Sequence, residues 1–221
     1  MKKLILAAAA IATLAAQQRF DLRVREDFFS GFSGNRAALD RGMKTCEDIL
    51  AVNPKHAEAL VWHGGGLFYL SGQSFQKGDV NQGMELYTRG IQEMDNAVSI
   101  APENVGVLIP RGASLLTATR SMPPGDPARK LLTQGLADFE KVYALQQPYF
   151  DTLSGHARGE LLFGLAEGYA RADNEPKARE YFQKLAAVGP ASGHETEASA
   201  WLTTGKLDSK RVTCTGCHTK S

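Results

Sequence analysis

Four prolines follow four similar helical patterns along the chain, and this repetition constrains the fold more than any other feature of the sequence. They are Pro54, Pro102, Pro148 and Pro190, and the intervals between them are 48, 46 and 42 residues. Because proline has no backbone N–H and clashes with the preceding turn, each of them is expected to mark the end of a helix. The chain is therefore predicted to consist of consecutive helical units.

Each unit places a small residue twelve or thirteen positions before its proline, a bulkier one four positions later, and a third residue three or four positions further on. The four sets are Gly42, Cys46 and Ile49; Gly90, Met94 and Ala97; Gly135, Phe139 and Tyr143; and Ala178, Phe182 and Leu185. Small residues let two helices approach closely, and bulky residues fill the space between them. No alternating, strand-like run competes with this pattern.

The last unit has the most specific pattern, which six of its residues carry. They are Leu162, Leu165, Ala166, Tyr169, Ala178 and Phe182. The first four stand at the spacing W-x2-L-G-x2-Y and the other two at A-x3-F, which resembles the tetratricopeptide repeat with Leu replacing Trp and Ala replacing Gly. The resemblance covers roughly residues 35–205. It implies an all-α solenoid of about four irregular, lengthened hairpins, whose groove binds protein partners.

The intervals between the prolines exceed the 34 residues of a regular repeat, so extra segments are expected. The sequence SGQSFQKGD, residues 71–79, is predicted to lie between two helices. The sequence SMPPGDPA, residues 121–128, is predicted to lie between two more, with Asp126 capping a helix that begins at Pro127.

Both ends of the repeat region carry apolar residues that can cover it. Val24, Phe28 and Phe32 recur at four-residue spacing, so residues 17–34 are interpreted as a capping segment. The pattern over 193–204, which includes Trp201, predicts a closing helix that stops at Gly205. Residues 206–221 then form a polar tail.

The first sixteen residues have the features of a secretory signal peptide. Lys2 and Lys3 precede an apolar stretch, and Thr13-Leu14-Ala15 is a small-residue cleavage site. The apolar stretch is shorter than the roughly 20 residues that a membrane span needs. The sequence therefore predicts a periplasmic or otherwise exported protein with no stable membrane span after cleavage.

The tail contains CTGCH, residues 214–218, which fits the C-x-x-C-H attachment site of c-type haem. Cys214 and Cys217 are predicted to form thioethers with the two vinyl groups of one haem, and His218 to be the proximal iron ligand. Gly216 lets the loop pass close to the ring. The resemblance to c-type cytochromes covers these five residues only.

Other interpretations of the cysteine pair stay open. They are a disulfide, a redox dithiol without the usual thioredoxin-like setting, and half of a zinc site without a second ligand pair. If haem is attached, His194, His156 and Met122 are the upstream candidates for the sixth ligand. Either the haem docks on the helices or it is presented on a tether.

Three further features bear on function. Cys46 is expected to be core. Three consecutive glycines, Gly64 to Gly66, are expected to allow close helix contact, and Arg111 to direct a charge into the groove. Lys and Arg number 25 against 24 Asp and Glu, so nucleic acid is not indicated as a partner.

The sequence shows no nucleotide-binding glycine loop and no nucleophile motif, which favours an electron carrier or a binding scaffold over an enzyme. The function expected first is electron transfer to or from a protein docked on the repeats, through one covalent haem c. One alternative is a periplasmic scaffold whose cysteine pair is a disulfide or a metal site and binds no haem. Another is a haem enzyme such as a peroxidase, which would need an open iron face and a polar distal pocket that the sequence neither shows nor excludes.

Overall fold

The computed structural model describes residues 19–207, and throughout this range the chain is built of helices joined by short turns, with no strand. The bounds of its α-helices are α1 Asp21–Phe32, α2 Arg36–Val52, α3 Ala57–Gln76, α4 Val80–Ile100, α5 Val105–Ala118, α6 Asp126–Gln146, α7 Gly155–Arg171, α8 Glu175–Val188 and α9 Glu195–Thr204. Two short 3₁₀ helices, Gln147–Thr152 and Gly189–Ser192, follow α6 and α8. The predicted all-α class is confirmed.

The helices pack mainly in sequential pairs. The extensive contacts are α1 with α2, α3 with α4, α5 with α6, and α7 with α8, and α9 then packs against α8. Contacts between pairs run chiefly from α2 to α3, from α3 to α5 and from α6 to α7. Residues near in sequence therefore supply most of the contacts, as the repeated pattern predicts.

The four prolines stand where the sequence places them. Pro54 and Pro102 lie in the turns that follow α2 and α4. Pro148 and Pro190 lie in the 3₁₀ helices that follow α6 and α8. Each of them follows the second helix of a pair, which confirms the predicted boundaries.

The small residues of the repeated pattern lie where paired helices come closest. A Cβ added at Gly90 of α4 would be 2.8 Å from the carbonyl oxygen of Gly64 in α3, and the reverse distance is also 2.8 Å. Gly42 similarly fits against Phe28, and Gly135 against Leu116. The predicted close helix contact at the three consecutive glycines is therefore confirmed for Gly64.

The apolar core forms two clusters that meet at α5. Val107 and Leu115 of α5 belong to the N-terminal cluster, and Leu108 and Leu116 belong to the C-terminal cluster. The side chains of adjacent residues in a helix point about 100° apart, so α5 can contribute to both the N-terminal and the C-terminal cluster. α5 thus joins the two halves of the described chain.

Residues at both ends cover the core as predicted. Val24 and Phe28 of α1 are buried, and α1 packs on α2 as the first helix of a pair. Trp201 of α9 is buried and stacks on Phe182 at a centroid distance of 4.6 Å. α9 ends at Gly205, whose φ of +68° is a left-handed conformation that favours glycine.

Two local predictions are wrong. Most of residues 71–79 continue α3, which ends at Gln76, and the turn to α4 contains Lys77, Gly78 and Asp79 alone. The long first interval therefore comes from longer helices. Asp126 is the first residue of α6 and makes no capping bond, because Gly125 occupies the N-cap position.

Gly90→Ala is expected to lower the free energy of unfolding by about 1–3 kcal/mol, because the new methyl group meets backbone atoms of α3 that cannot move independently. Gly72→Ala is the matched control in the same hairpin, because a Cβ added at Gly72 would have no neighbour within 4 Å. We expect that change to add up to about 1 kcal/mol of stability, because alanine favours helix over glycine. Urea unfolding followed by circular dichroism measures both. Equal effects at the two positions would contradict the close contact.

Candidate functional site

The predicted haem-attachment residues Cys214, Cys217 and His218 lie outside the described residues, as does the predicted signal peptide. The described chain ends at Leu207, and six residues separate Leu207 from Cys214. Because each residue spans at most about 3.6 Å, Cys214 lies within about 25 Å of Leu207. The end of α9 is thus the part of the described structure that bears most on this motif.

A cleft of about 500 Å³ lies beside the end of α9, and Leu207 is one of its lining residues. The other lining residues are Ala170, Arg171, Asp173, Glu175, Trp201 and Gly205. They come from the end of α7, the turn to α8, and the end of α9. The last described residue therefore lines this cleft, which we call the C-terminal cleft.

Two charged residues of the C-terminal cleft form ion pairs. The guanidinium of Arg171 donates to the carbonyl oxygen of Leu116 at 2.8 Å and to Glu167 Oε2 at 3.0 Å. Arg179 donates to Glu175 Oε1 at 2.8 Å. The carboxylate of Asp173, in contrast, makes no hydrogen bond or ion pair within residues 19–207, so its charge stands at the cleft without a described counter-charge.

His194 is held by three interactions. Its Nε2 is 3.0 Å from Glu160 Oε1, its backbone N–H donates to Ser192 Oγ at 3.1 Å, and its ring stacks on Phe163 at 4.2 Å. The side chain is buried. The Nε2 atom of His194 is thus already bonded to Glu160. Together these contacts hold in place the turn that precedes α9.

The other two predicted ligands lie in different surroundings. His156 is exposed, and its Nδ1 is 3.9 Å from Glu160 Oε1. Met122 is half-buried and packs against the N-terminal core cluster. The structure brings His156 and His194 together around Glu160, and it does not bring Met122 to them. Whether any of the three binds haem iron stays a prediction.

Within residues 19–207, no group of three or more histidine, cysteine, aspartate or glutamate side chains is arranged to hold a metal ion. In the same range no helix has the length and apolar character that crossing a membrane requires.

Arg111 carries a charge into the contact between helices, and its partners connect three helices. Its Nε and Nη2 donate to the two carboxylate oxygens of Asp138 in α6 at 2.7 and 2.6 Å. Its Nη1 donates to Asp95 in α4 at 2.8 Å. Burial acts to lower the pKa of Arg111, but Asp138 and Asp95 outweigh it and raise that pKa.

A second charged group joins α5 to α7 beside the C-terminal cleft. Glu167 is buried and accepts from Arg120 Nε at 3.0 Å, besides its bond with Arg171. Arg171 also donates to Thr119 Oγ1 at 2.7 Å. Burial lowers the pKa of Arg171, and Glu167 offsets part of that effect. Sequence analysis missed this group, because its members are distant along the chain.

His63 lies buried between two carboxylates. Its Nδ1 is 2.5 Å from Glu93 Oε2, and its Nε2 is 3.7 Å from Glu47 Oε1. Arg89 donates to the other oxygen of Glu93 at 2.9 Å. Burial acts to raise the pKa of Glu93, but His63 and Arg89 outweigh it, and the pKa lies below its ordinary value of 4.5.

Tyr169, Glu140 and Lys177 form a third polar group that sequence analysis did not identify. Tyr169 Oη donates to Glu140 Oε1, and Lys177 Nζ lies 2.6 Å from the same oxygen and 2.8 Å from Tyr169 Oη. Tyr169 and Glu140 line a cavity of about 240 Å³. Burial, followed by Glu140, raises the pKa of Tyr169 to about 12. The neutral phenol therefore serves as a hydrogen-bond donor that joins α7 to α6.

Cys46 is fully buried, which confirms its predicted core position. Burial raises the pKa of its thiol to about 12. Because the thiolate is the reactive form, Cys46 is chemically inert in the folded protein.

No protein-family model matches the chain, and neither a curated protein nor a solved structure matches it at a significant level.

Arg111→Met is expected to lower the free energy of unfolding by about 3–5 kcal/mol, because it leaves the buried carboxylate of Asp138 without its partner. The double variant Arg111→Met/Asp138→Leu is expected to regain most of the loss, since it removes both charges. Arg36→Met is the control, because Arg36 pairs with Asp40 at the surface and should contribute less than about 1 kcal/mol. Denaturant unfolding of all four proteins checks the prediction. A double variant no more stable than Arg111→Met would contradict it.

Glu93 is expected to make the free energy of unfolding depend on pH in the acidic range. Because its pKa is lowered in the folded state, the stability it contributes is present above pH 4.5 and is lost as the pH falls through the folded-state pKa. Glu93→Gln should therefore flatten the fall in unfolding free energy below pH 4.5. Glu85→Gln on the same helix is the control, and thermal melts between pH 3 and 7 measure both. Parallel curves for Glu93→Gln and the unchanged protein would refute this role.

Proposed function

We propose that the protein is an exported, irregular tetratricopeptide-like repeat protein that carries one covalent haem c in its tail and transfers electrons to or from a protein partner. The observation that carries this proposal is the sequence Cys214-x-x-Cys217-His218 in a chain that also begins with signal-peptide features. Haem of this type is attached after export, so the two features support each other.

The tail supplies the chemistry that holds the haem. The thiols of Cys214 and Cys217 would each hold the haem by adding across one vinyl group, with a C–S bond formed, the thiol hydrogen going to the other vinyl carbon, and no oxidant consumed. His218 follows directly and would supply an imidazole to the iron. When bound, the haem supplies a one-electron redox couple.

The described helices support the proposal as a scaffold. Sequential hairpins that contact mainly their neighbours are the arrangement of repeat proteins, which use extended surfaces to bind partners. α9 covers the last pair and positions Leu207, from which the tail leaves. The helices would thus dock the partner, and the tail would bring the haem to it.

The state of His194 supports presentation of the haem over its burial among the helices. Its Nε2 is bonded to Glu160 and its ring is stacked on Phe163. Binding iron through Nε2 would break the bond to Glu160. In this proposal His194 keeps its bond to Glu160 and does not supply the sixth ligand.

The full-length protein, expressed with a c-type maturation system, should gain the mass of one haem that denaturant does not remove. The variant Cys214→Ala/Cys217→Ala should lack this mass and still show the helical circular dichroism of the unchanged protein. His218→Ala should alter the visible spectrum of the iron while the adduct is retained. A control cytochrome shows that maturation works. If the control matures and this protein remains without adduct, the haem proposal fails and the scaffold function takes its place.

A further inference from the structure

The C-terminal cleft has a feature that the proposed function leaves unexplained. Its apolar surface comes from Ala170, Trp201 and Leu207, and its unpaired charge is the carboxylate of Asp173. Asp173 also has a φ of +55°, in the left-handed region that non-glycine residues seldom adopt. The turn from α7 to α8 thus places an aspartate among the residues that line the cleft.

The residues that follow Leu207 have the complementary charge. The sequence 208–213 is DSKRVT, in which the adjacent Lys210 and Arg211 outnumber the one acidic residue, Asp208. Lys210 is three residues beyond Leu207, so its Cα lies within about 11 Å of a residue that lines the cleft. Asp173 lines the same cleft as Leu207, which puts this aspartate on the same part of the surface as the start of the tail.

The other charged residues that line the cleft, Arg171 and Glu175, already have partners. Arg171 is bonded to Glu167, Thr119 and a carbonyl oxygen. Glu175 is paired with Arg179, which lies over the Trp201 ring at 5.4 Å. Among the charged lining residues, Asp173 is therefore the one whose carboxylate the described structure leaves for a new partner.

We propose that residues 208–213 of this chain bind in the C-terminal cleft, with Lys210 and Arg211 facing the carboxylate of Asp173. This binding would fix the base of the tail, so that Cys214 begins directly at the surface formed by α7, α8 and α9. The docking needs no haem, whereas its consequence for haem presentation depends on the function proposed above.

The test is hydrogen–deuterium exchange of the amides of residues 208–213, measured by mass spectrometry on the full chain carrying Cys214→Ser/Cys217→Ser. This variant cannot form thioethers, so a failure of haem attachment leaves the docking measurement unaffected. We expect exchange about ten-fold or more slower than in a free peptide of the same sequence. Exchange at the free-peptide rate would overturn the proposal.

Asp173→Asn tests the charge, because asparagine tolerates the left-handed conformation. It is expected to speed exchange of residues 208–213 roughly two- to five-fold, the range for one exposed ion pair. Lys210→Gln/Arg211→Gln should do the same, and combining all three changes should add little. Asp151→Asn is the control, an exposed aspartate outside the cleft, and it should leave exchange unchanged. Additive effects, or equal effects of Asp173→Asn and Asp151→Asn, would overturn the pairing.

Carbodiimide coupling gives a second measurement that does not depend on substitutions. The reagent forms an amide bond between an amine and a carboxylate that are in contact. A cross-linked peptide between Lys210 and Asp173 is expected, and none between Lys210 and Asp151. Coupling of Lys210 to carboxylates without preference would contradict docking in the cleft.

Discussion

The close approach of α3 and α4 at Gly64 and Gly90 is the contact on which the arrangement of the N-terminal half depends. Neither position has room for a Cβ, since the carbonyl oxygen of the other glycine lies within 2.8 Å of where that atom would be. The two backbones therefore touch, and the longer side chains of both helices are directed to the flanks. There Met94 and Phe68 enter the N-terminal core cluster, which also receives α1, α2 and α5.

Polar bonds between pairs of helices then fix how each pair sits on the next. Asn104, the N-cap of α5, donates to Glu58 of α3 at 3.1 Å, and Arg111 of α5 donates to Asp95 of α4 at 2.8 Å. Arg171 of α7 reaches back to Leu116 of α5. Apolar packing alone permits sliding between helices, whereas these bonds have defined geometry and are costly to leave unmade when buried.

The sequence allowed the order of the helices to be predicted, because its signals are local. Proline ends a helix by itself, and a glycine followed four residues later by a bulky side chain shows one face of one helix. The prediction that residues 71–79 lie between two helices was wrong because these residues are polar and contain glycine, as turns do, although most of them continue α3. In the structure Ser71 Oγ donates to the carbonyl oxygen of Phe68 and Ser74 bonds to Gln82, so the hairpin itself satisfies these polar groups. The pairing of Arg111 with Asp138, 27 residues away, has no local signal.

The position of Leu207 follows from contacts that begin far from the tail. Gly155 and Gly159 of α7 leave room for the backbone of Ala191 and Ser192, where an added Cβ would lie less than 3 Å from backbone atoms. His194 then bonds to Glu160, and Trp201 stacks on Phe182, so α9 is fixed on both sides. With α9 fixed, the point where the tail begins is fixed as well. In the proposed function, a haem carried on Cys214 and Cys217 would therefore stay near this one end, and its electron-transfer partner would have to bind close to α9.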